Sequence, residues 1–328
     1  MIEKELFIRA DIFYIKIITK CEFLENFIQD NINEFERLTI NFKVVDVCEK
    51  IDTVLQYNDE DIYDFSCVDN KFIFKCPWNR INNSTIFPMI FRYIVEVLRQ
   101  NNNEIKVHAS SIMRNDYSSL FFAPSEGGKT TIAMAMCQKY QCILKSNDAT
   151  VVKFNEGKPY VYRGDHVFKV RANGLKTYSK EIYNKKMKIN SDTPWLDKAK
   201  ILPEDIGVNT DDNITEIKYI FFVKLDTLID GCTVKKYNRN NPEETDNWFK
   251  PKMQIFQNIS GTIRGTDLIP IGNDGKIIPL NLPSLDNEEL AIKRIEFINN
   301  LFEECDVYQL RGQLEDMTMI INDIMSKK

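Results

Sequence analysis

The chain has 328 residues, 43% of them hydrophobic and 28% charged, with a net charge of −5 at pH 7. That balance suits a globular protein with one large core or two modest ones, and it gives no basic field for nucleic acid. No apolar run approaches the ~18 residues of a membrane span, and Met1–Leu6 lacks the basic-then-apolar form of a secretion signal. Eight scattered cysteines without a C-x-x-C pair, and only two histidines, speak against a zinc site. They fit free thiols in a reducing cytoplasm. The expectation is a cytoplasmic protein with neither nucleic acid nor membrane as a partner.

Residues 5–20 alternate or run apolar through Phe7, Ile8, Ile12, Phe13, Tyr14, Ile15, Ile17 and Ile18, which predicts one or two buried strands. Phe23, Leu24, Phe27, Ile28, Ile32 and Phe35 then recur at helical spacing. Short strands are expected at Phe42–Cys48, Thr53–Tyr57 and within Asp61–Cys76. A helix follows at Ile86–Arg99, with Ser84 or Thr85 able to cap it and Pro88 tolerable in its first turn. Asn101-Asn102-Asn103 is a break, and a domain boundary is placed there, giving 1–103 and 104–328.

Val107-His108-Ala109-Ser110-Ser111-Ile112 reads as a strand ending in a polar step. The most informative stretch comes next. Leu120-Phe121-Phe122 is an apolar strand that runs through Ala123-Pro124-Ser125-Glu126 into Gly127-Gly128-Lys129-Thr130, and a helical run from Thr131 to Tyr140 follows. This order is that of a phosphate-binding loop. Small residues let backbone N–H groups curl around a polyphosphate, and the helix N-terminus adds partial positive charge. Lys129 would meet the β/γ-phosphates, and the Thr130 hydroxyl would ligate Mg²⁺. Two features depart from G-x-x-x-x-G-K-[ST]: Ala123 holds the first position, and Glu126 must point outward or toward a cation.

One helix later, Ile143–Ser146 leads to Asn147-Asp148 and a strand at Ala149–Phe154. Asn155-Glu156-Gly157-Lys158 is a hairpin turn into Tyr160–Arg163. Residues 176–205 are polar, with Lys176, Lys180, Lys185, Lys186, Lys188 and the run Thr193-Pro194-Trp195, a composition that fits either a solvated excursion or a lid. Ile217–Leu225 is a buried strand, Asn238–Asn247 a loop, and Asn287–Glu304 and Gln313–Met325 are amphipathic helices. His166 reads as structural or exposed. Arg171 and Arg311 are the arginines considered for neutralising a transferring phosphate.

A strand carrying His108-Ala109-Ser110, the glycine-rich turn, a helix and a strand ending in an acidic pair resemble the nucleotide core of the HPr serine kinase/phosphorylase family. That family shares its fold with phosphoenolpyruvate carboxykinase. The resemblance covers roughly residues 104–155, and Gly174-Leu175 is similar to a further glycine-containing segment. The loop at 124–131 resembles the family's uncharacterised bacterial relatives more than the HPr-specific enzymes. The resemblance implies a mixed α/β fold, with an N-terminal mixed α/β domain over 1–103 and an ATP-binding domain over 104–328. It implies ATP and Mg²⁺, and γ-phosphoryl transfer to a Ser/Thr hydroxyl of a peptide or small protein. The implied site has Ser125, Glu126, Gly127, Gly128, Lys129, Thr130 and Thr131 around the phosphates and Thr130 and Asp148 on the metal. Lys129, His108 and Asp148 carry the chemistry.

The family's acidic pair is usually Asp-Asp or Asp-Glu, and here it is Asn147-Asp148. Either Asp148 takes over the role of the first acid, or the base is weak or dispensable because phosphoryl transfer depends mainly on positioning and charge neutralisation. In a working kinase Asn147→Asp is expected to leave the rate unchanged or raise it. Alternatives are a nucleotide-binding regulator without transfer, for which Asn147 and Glu126 speak, and a small-molecule hydroxyl acceptor. A carboxykinase would need a richer metal cluster than two histidines help to build. A homo-oligomer stays open.

Overall fold

The computed structural model describes residues 2–47, 50–124, 126–171, 184, 198–239, 241, 245–266, 269–272, 275–278, 280 and 282–327. The fold is mixed α/β, as expected. It divides into two compact units, residues 1–103 with 257–293 and residues 104–256 with 294–328. The break at Asn101–Asn103 falls at this division. Residues 257–293, expected in the second domain, group instead with the first unit, because Ile263, Leu282 and Leu290 belong to its core.

In the first unit, β1 (Lys4–Ala10) and β2 (Phe13–Thr19) form a hairpin, with Leu6, Ile8, Ala10, Phe13, Ile15 and Ile17 buried at alternate positions. With β3 (Lys43–Val45), β4 (Thr53–Asn58), β5 (Asp64–Val68) and β6 (Lys71–Lys75) they make a six-stranded sheet in the order β3-β1-β2-β4-β6-β5. The helical spacing at 23–35 resolves into two short helices, α1 (Leu24–Asp30) and α2 (Ile32–Leu38). Asn31 divides them, its side-chain amide donating to the Phe27 carbonyl at 2.8 Å in place of a continued helix. After the one-turn α3 (Trp78–Ile81), α4 (Ile86–Asn101) is buried nearly all round. The Ser84 hydroxyl accepts from the Ile86 amide at 3.3 Å, whereas Thr85 is engaged by the Ile271 amide. Phe35, Phe42, Phe87 and Phe91 form the aromatic centre, with Phe35 stacked on Phe42 at 4.5 Å between centroids.

The second unit holds a nine-stranded sheet. Its strands are β7 (Ile105–Val107), β8 (Ser110–Arg114), β9 (Tyr117–Phe122), β10 (Ile143–Ser146), β11 (Thr150–Asn155), β12 (Lys158–Gly164), β15 (Thr215–Leu225), β16 (Cys232–Lys236) and β17 (Asp306–Gly312). A separate pair is formed by β13 (Phe168–Arg171) and β14 (Lys198–Ile201). β15 runs parallel to both β9 and β17. The near-continuous burial of β9 and β15 matches cover on both faces, whereas β17 alternates between buried and open positions. Phe121 stacks on Phe221 at 5.4 Å and Phe122 on Phe222 at 5.3 Å. The single strand expected at 107–112 is two strands: β7 pairs with β11, β8 pairs with β9 and β10, and His108-Ala109 lies between them. A helix at Thr245–Gly261 begins inside the segment expected to be a loop, with Pro251 within it. Gly174, Leu175, the lysines of 176–188, Thr193–Trp195, Cys48 and Ser125 lie outside the described residues, as does the Arg171 side chain. No described helix is long and apolar enough to cross a membrane.

The first unit contains a buried ionic cluster. Arg99 donates to Asp11 at 2.7 and 3.1 Å and to Glu96 at 2.7 Å, and all three side chains are shielded from solvent. Arg99→Ala removes the cation common to both carboxylates. Chemical denaturation should show a loss of about 3–5 kcal/mol, while Arg99→Met, which refills the volume, is still destabilising because the carboxylates remain.

Candidate functional site

The chain turns sharply between β9 and α5 (Lys129–Tyr140). Gly127 N–H donates to the Pro124 carbonyl at 2.9 Å, and the Gly127 carbonyl accepts from the Leu225 amide at 2.9 Å. The turn is thereby tied to the end of β15. Gly128 has φ +99°, a conformation that strains any residue with a Cβ, and a Cβ there would collide with Leu225. A Cβ on Gly127 would come within 2.9 Å of Ala123 and Pro124. The chain enters the helix directly from Gly128, so α5 starts at Lys129, two residues earlier than its spacing predicts. Lys129, Thr130 and Thr131 all fall in the first turn, where amides lack intrahelical acceptors. Glu126 takes φ +66° in the turn.

Strand direction explains what meets this helix start. β8 is antiparallel to both β9 and β10, and β15 is parallel to β9. The carboxyl ends of β9, β10 and β15 therefore share one end of the sheet with the amino end of β8, the usual location for ligands in open α/β sheets. Asn147-Asp148 leaves β10 there, and His108 precedes β8 there.

Asp148 sits in a strained turn. The Ala149 amide donates to the Asn147 carbonyl at 2.9 Å, and Asp148 between them has φ +69°. This geometry carries the carboxylate onto the Lys129 ammonium, which pairs with it. His108 Nδ1 lies 3.1 Å from the Asp148 carbonyl oxygen and 3.4 Å from its carboxylate. Burial acts to raise the Asp148 pKa, but Lys129 and then His108 outweigh it and hold the carboxyl below its usual value, with Lys169 adding to the effect. The His108 side chain keeps 48% of its surface open. The surrounding protein is nevertheless the largest influence on its pKa and lowers it, with the Asp148 carboxylate opposing. Near neutral pH the cluster is thus an ammonium, a carboxylate and an uncharged imidazole.

Behind Asp148, Asn147 is wholly buried. Its Oδ1 accepts from Thr130 Oγ1 at 3.0 Å and Ser110 Oγ at 2.9 Å, and its Nδ2 donates to the Val167 carbonyl at 3.1 Å. Asp165 fixes the following segment, accepting from the Val167 amide at 2.9 Å and from Lys169 at 2.8 Å. Lys129, Thr130, His108 and Asp148 are therefore brought together. Among the other candidates, His166 faces the Lys145 carbonyl at 3.0 Å, and Arg311 is held by Asp226 at 2.7 and 3.0 Å.

Sequence reasoning missed Ser110, Leu225, Asp165 and Lys169. Ser110 stands in the quoted His108-Ala109-Ser110 run without a role having been read for it, and the other three lie in no motif. Ser110 and Leu225 act through neighbours distant in the chain. Oxygen donors for a hard cation are present in Thr130 and Asp148. No group of three or more His, Cys, Asp or Glu among the described residues could hold a metal unaided.

The comparisons with known proteins add little. No family model matches the chain, and no curated protein matches it. Among solved structures, the HPr(Ser) kinase/phosphatase from Coxiella burnetii is similar at 13% identity, covering 40% of this chain and 76% of that one, with a TM-score of 0.24. A likeness at this level carries no weight for ligand or activity.

Two outcomes follow from the geometry. Gly128→Ala should lose about 1–3 kcal/mol from backbone strain alone. Measured in a Leu225→Ala background the loss should shrink without vanishing, since the collision goes and the strained φ stays. In an NMR titration, His108 should titrate below the usual histidine value. Asp148→Asn should lower it further, because the carboxylate favours the imidazolium. The sign for stability is the same for both groups. The folded protein binds fewer protons than the unfolded chain, so the contribution of His108 grows as pH rises toward neutrality. The contribution of Asp148 is full above the ordinary aspartate range and is lost as pH falls through its lowered value.

Proposed function

We propose that the second unit is an ATP- and Mg²⁺-dependent phosphotransferase that carries a γ-phosphoryl group to a hydroxyl, a Ser or Thr of a peptide or small protein. The observation that carries this reading is the meeting of Lys129, Asp148 and His108 at the first turn of α5. A helix start entered through two glycines, with a lysine and a threonine as its first residues, suits a polyphosphate. Without side chains at 127 and 128, phosphate oxygens can approach the backbone. Bound Mg²⁺·ATP supplies the phosphoryl group and the cation that offsets its charge.

The chain's own residues divide the remaining work. Lys129 and the free amides of the first turn hold phosphate oxygens, and Thr130 and Asp148 are the oxygen donors toward the metal. His108, uncharged near neutral pH, donates from Nδ1 to the Asp148 carbonyl, which leaves Nε2 as the atom able to accept the proton of an acceptor hydroxyl. Asp148 orients it and stabilises the imidazolium that results. In the ligand-free protein Asp148 occupies Lys129. With 36% of the Asp148 side chain exposed, that pair is screened and is worth on the order of 1 kcal/mol, so a polyphosphate can displace it.

A second reading is a nucleotide-binding regulator without transfer. The engagement of both Lys129 and Thr130 by the Asn147-Asp148 pair supports it.

Single-turnover assays with γ-labelled ATP, a mixture of Ser/Thr peptides and a separate small-polyol arm distinguish the readings. The phosphotransferase reading expects label on a hydroxyl, lost in Lys129→Ala with the fold intact. Asp148→Ala should reduce the transfer rate far more than it reduces nucleotide affinity. Tight Mg²⁺·ATP binding with no transfer to any acceptor would leave the regulator. Unchanged affinity and activity in folded Lys129→Ala would remove the phosphate site altogether.

A further inference from the structure

We infer that Asn147 is a positioning residue that aims the Thr130 hydroxyl toward a bound metal, and that its amide is required where a carboxylate would fail. The inference deepens the phosphotransferase reading and rests on it for the identity of the metal–nucleotide ligand.

The chain of constraint starts at Val167. Its backbone carbonyl can only accept a hydrogen bond, so the side-chain atom of Asn147 facing it at 3.1 Å must be the amide nitrogen. This fixes the amide orientation without ambiguity between nitrogen and oxygen. Oδ1 then faces Thr130 Oγ1 at 3.0 Å and Ser110 Oγ at 2.9 Å. An amide oxygen can only accept, so both hydroxyls must donate to it. With its proton committed to Asn147, Thr130 Oγ1 has its lone pairs directed away from the amide, which is the state a metal-ligating hydroxyl needs. The position of Asn147 is itself fixed, because its backbone N–H donates to the Asp165 carbonyl at 2.5 Å.

A carboxylate at 147 could accept from both hydroxyls equally well. Its second oxygen, however, would face the Val167 carbonyl oxygen, and neither atom could donate. It would also place a second negative charge beside Asp148 in a wholly buried position, where an unmatched charge is costly. The amide is therefore an uncharged strut with all three of its hydrogen bonds matched. Asn147→Asp, expected from the family pattern to be neutral or beneficial, should instead be harmful.

The test compares wild type, Thr130→Ala, Thr130→Ser, Asn147→Ala, Asn147→Asp and the Thr130→Ala/Asn147→Ala double variant. The first readout needs no ligand. In chemical denaturation the two alanine substitutions should be non-additive, because each removes the same bond. The second readout is the factor by which Mg²⁺ tightens binding of a non-hydrolysable ATP analogue. Thr130→Ala, Asn147→Ala and Asn147→Asp should each reduce that factor about 10-fold or more, as outer partners of metal ligands do. The double variant should fall no further, and Thr130→Ser should retain it.

Additive stabilities in the ligand-free protein would overturn the strut. A Mg²⁺ factor in Asn147→Asp equal to or above that of wild type would overturn the requirement for an amide. If Asn147→Asp does not fold, an Asn147→Ala variant with the wild-type Mg²⁺ factor would overturn the positioning role. Coupled stabilities with no analogue binding by wild type would locate the failure in the phosphotransferase reading, and the role toward a metal would fall with it.

Discussion

The Lys129–Asp148 pair is the contact on which the site depends, and three separate constraints produce it. Gly128 at φ +99° delivers the lysine to the first position of its helix. The turn at Asn147–Ala149 holds Asp148 at φ +69° and points its carboxylate back at that lysine. The parallel run of β9 and β15 brings Leu225 against Gly127 and Gly128 and locks the turn in place. Gly128 takes its positive φ without strain, whereas the strained backbone at Asp148 is held beside the ion pair. Such strain persists only where the surroundings over-determine it, and here the sheet itself provides that determination.

The pair also sets the electrostatic character of its neighbours. An ionised Asp148 keeps a positive partner at the helix start and opposes the loss of proton affinity that burial imposes on His108. The neighbouring Asn147 is uncharged and turns its amide to Thr130, Ser110 and Val167, so Lys129 is paired with Asp148. The side chains of Lys129, Thr130 and Asp148, which a nucleotide would engage, are already matched within the ligand-free protein. They would not have to be desolvated unpaired when a ligand arrives, and the cost of exchange is that of a screened ion pair.

Much of this was legible in the sequence where the signal is local. The apolar Leu120–Phe122, the glycines and Lys129-Thr130 lie within a dozen residues, and both the turn and the helix follow from them. Asp148 was legible as the end of a strand, though not its strained φ. Asn147 was read as a missing acid because its value lies in the Val167 carbonyl, 20 residues away. The interruption at His108-Ala109 was hidden because β7 and β8 choose different partners, β11 for one and β9 with β10 for the other. The helix at Thr245–Gly261 was missed because Pro251 and a polar start mask its period. The grouping of 257–293 with the first unit depends on packing of Ile263, Leu282 and Leu290, which no local pattern reports.

The central claim is that the start of α5 receives a polyphosphate beside Asp148. Backbone amide shifts recorded while Mg²⁺ and a non-hydrolysable ATP analogue are added test it residue by residue. The account predicts large, saturable changes confined to the amides of residues 126–131 and 147–149, together with the His108 ring. Binding with shifts centred elsewhere, or no change in these amides at saturating analogue, would contradict it.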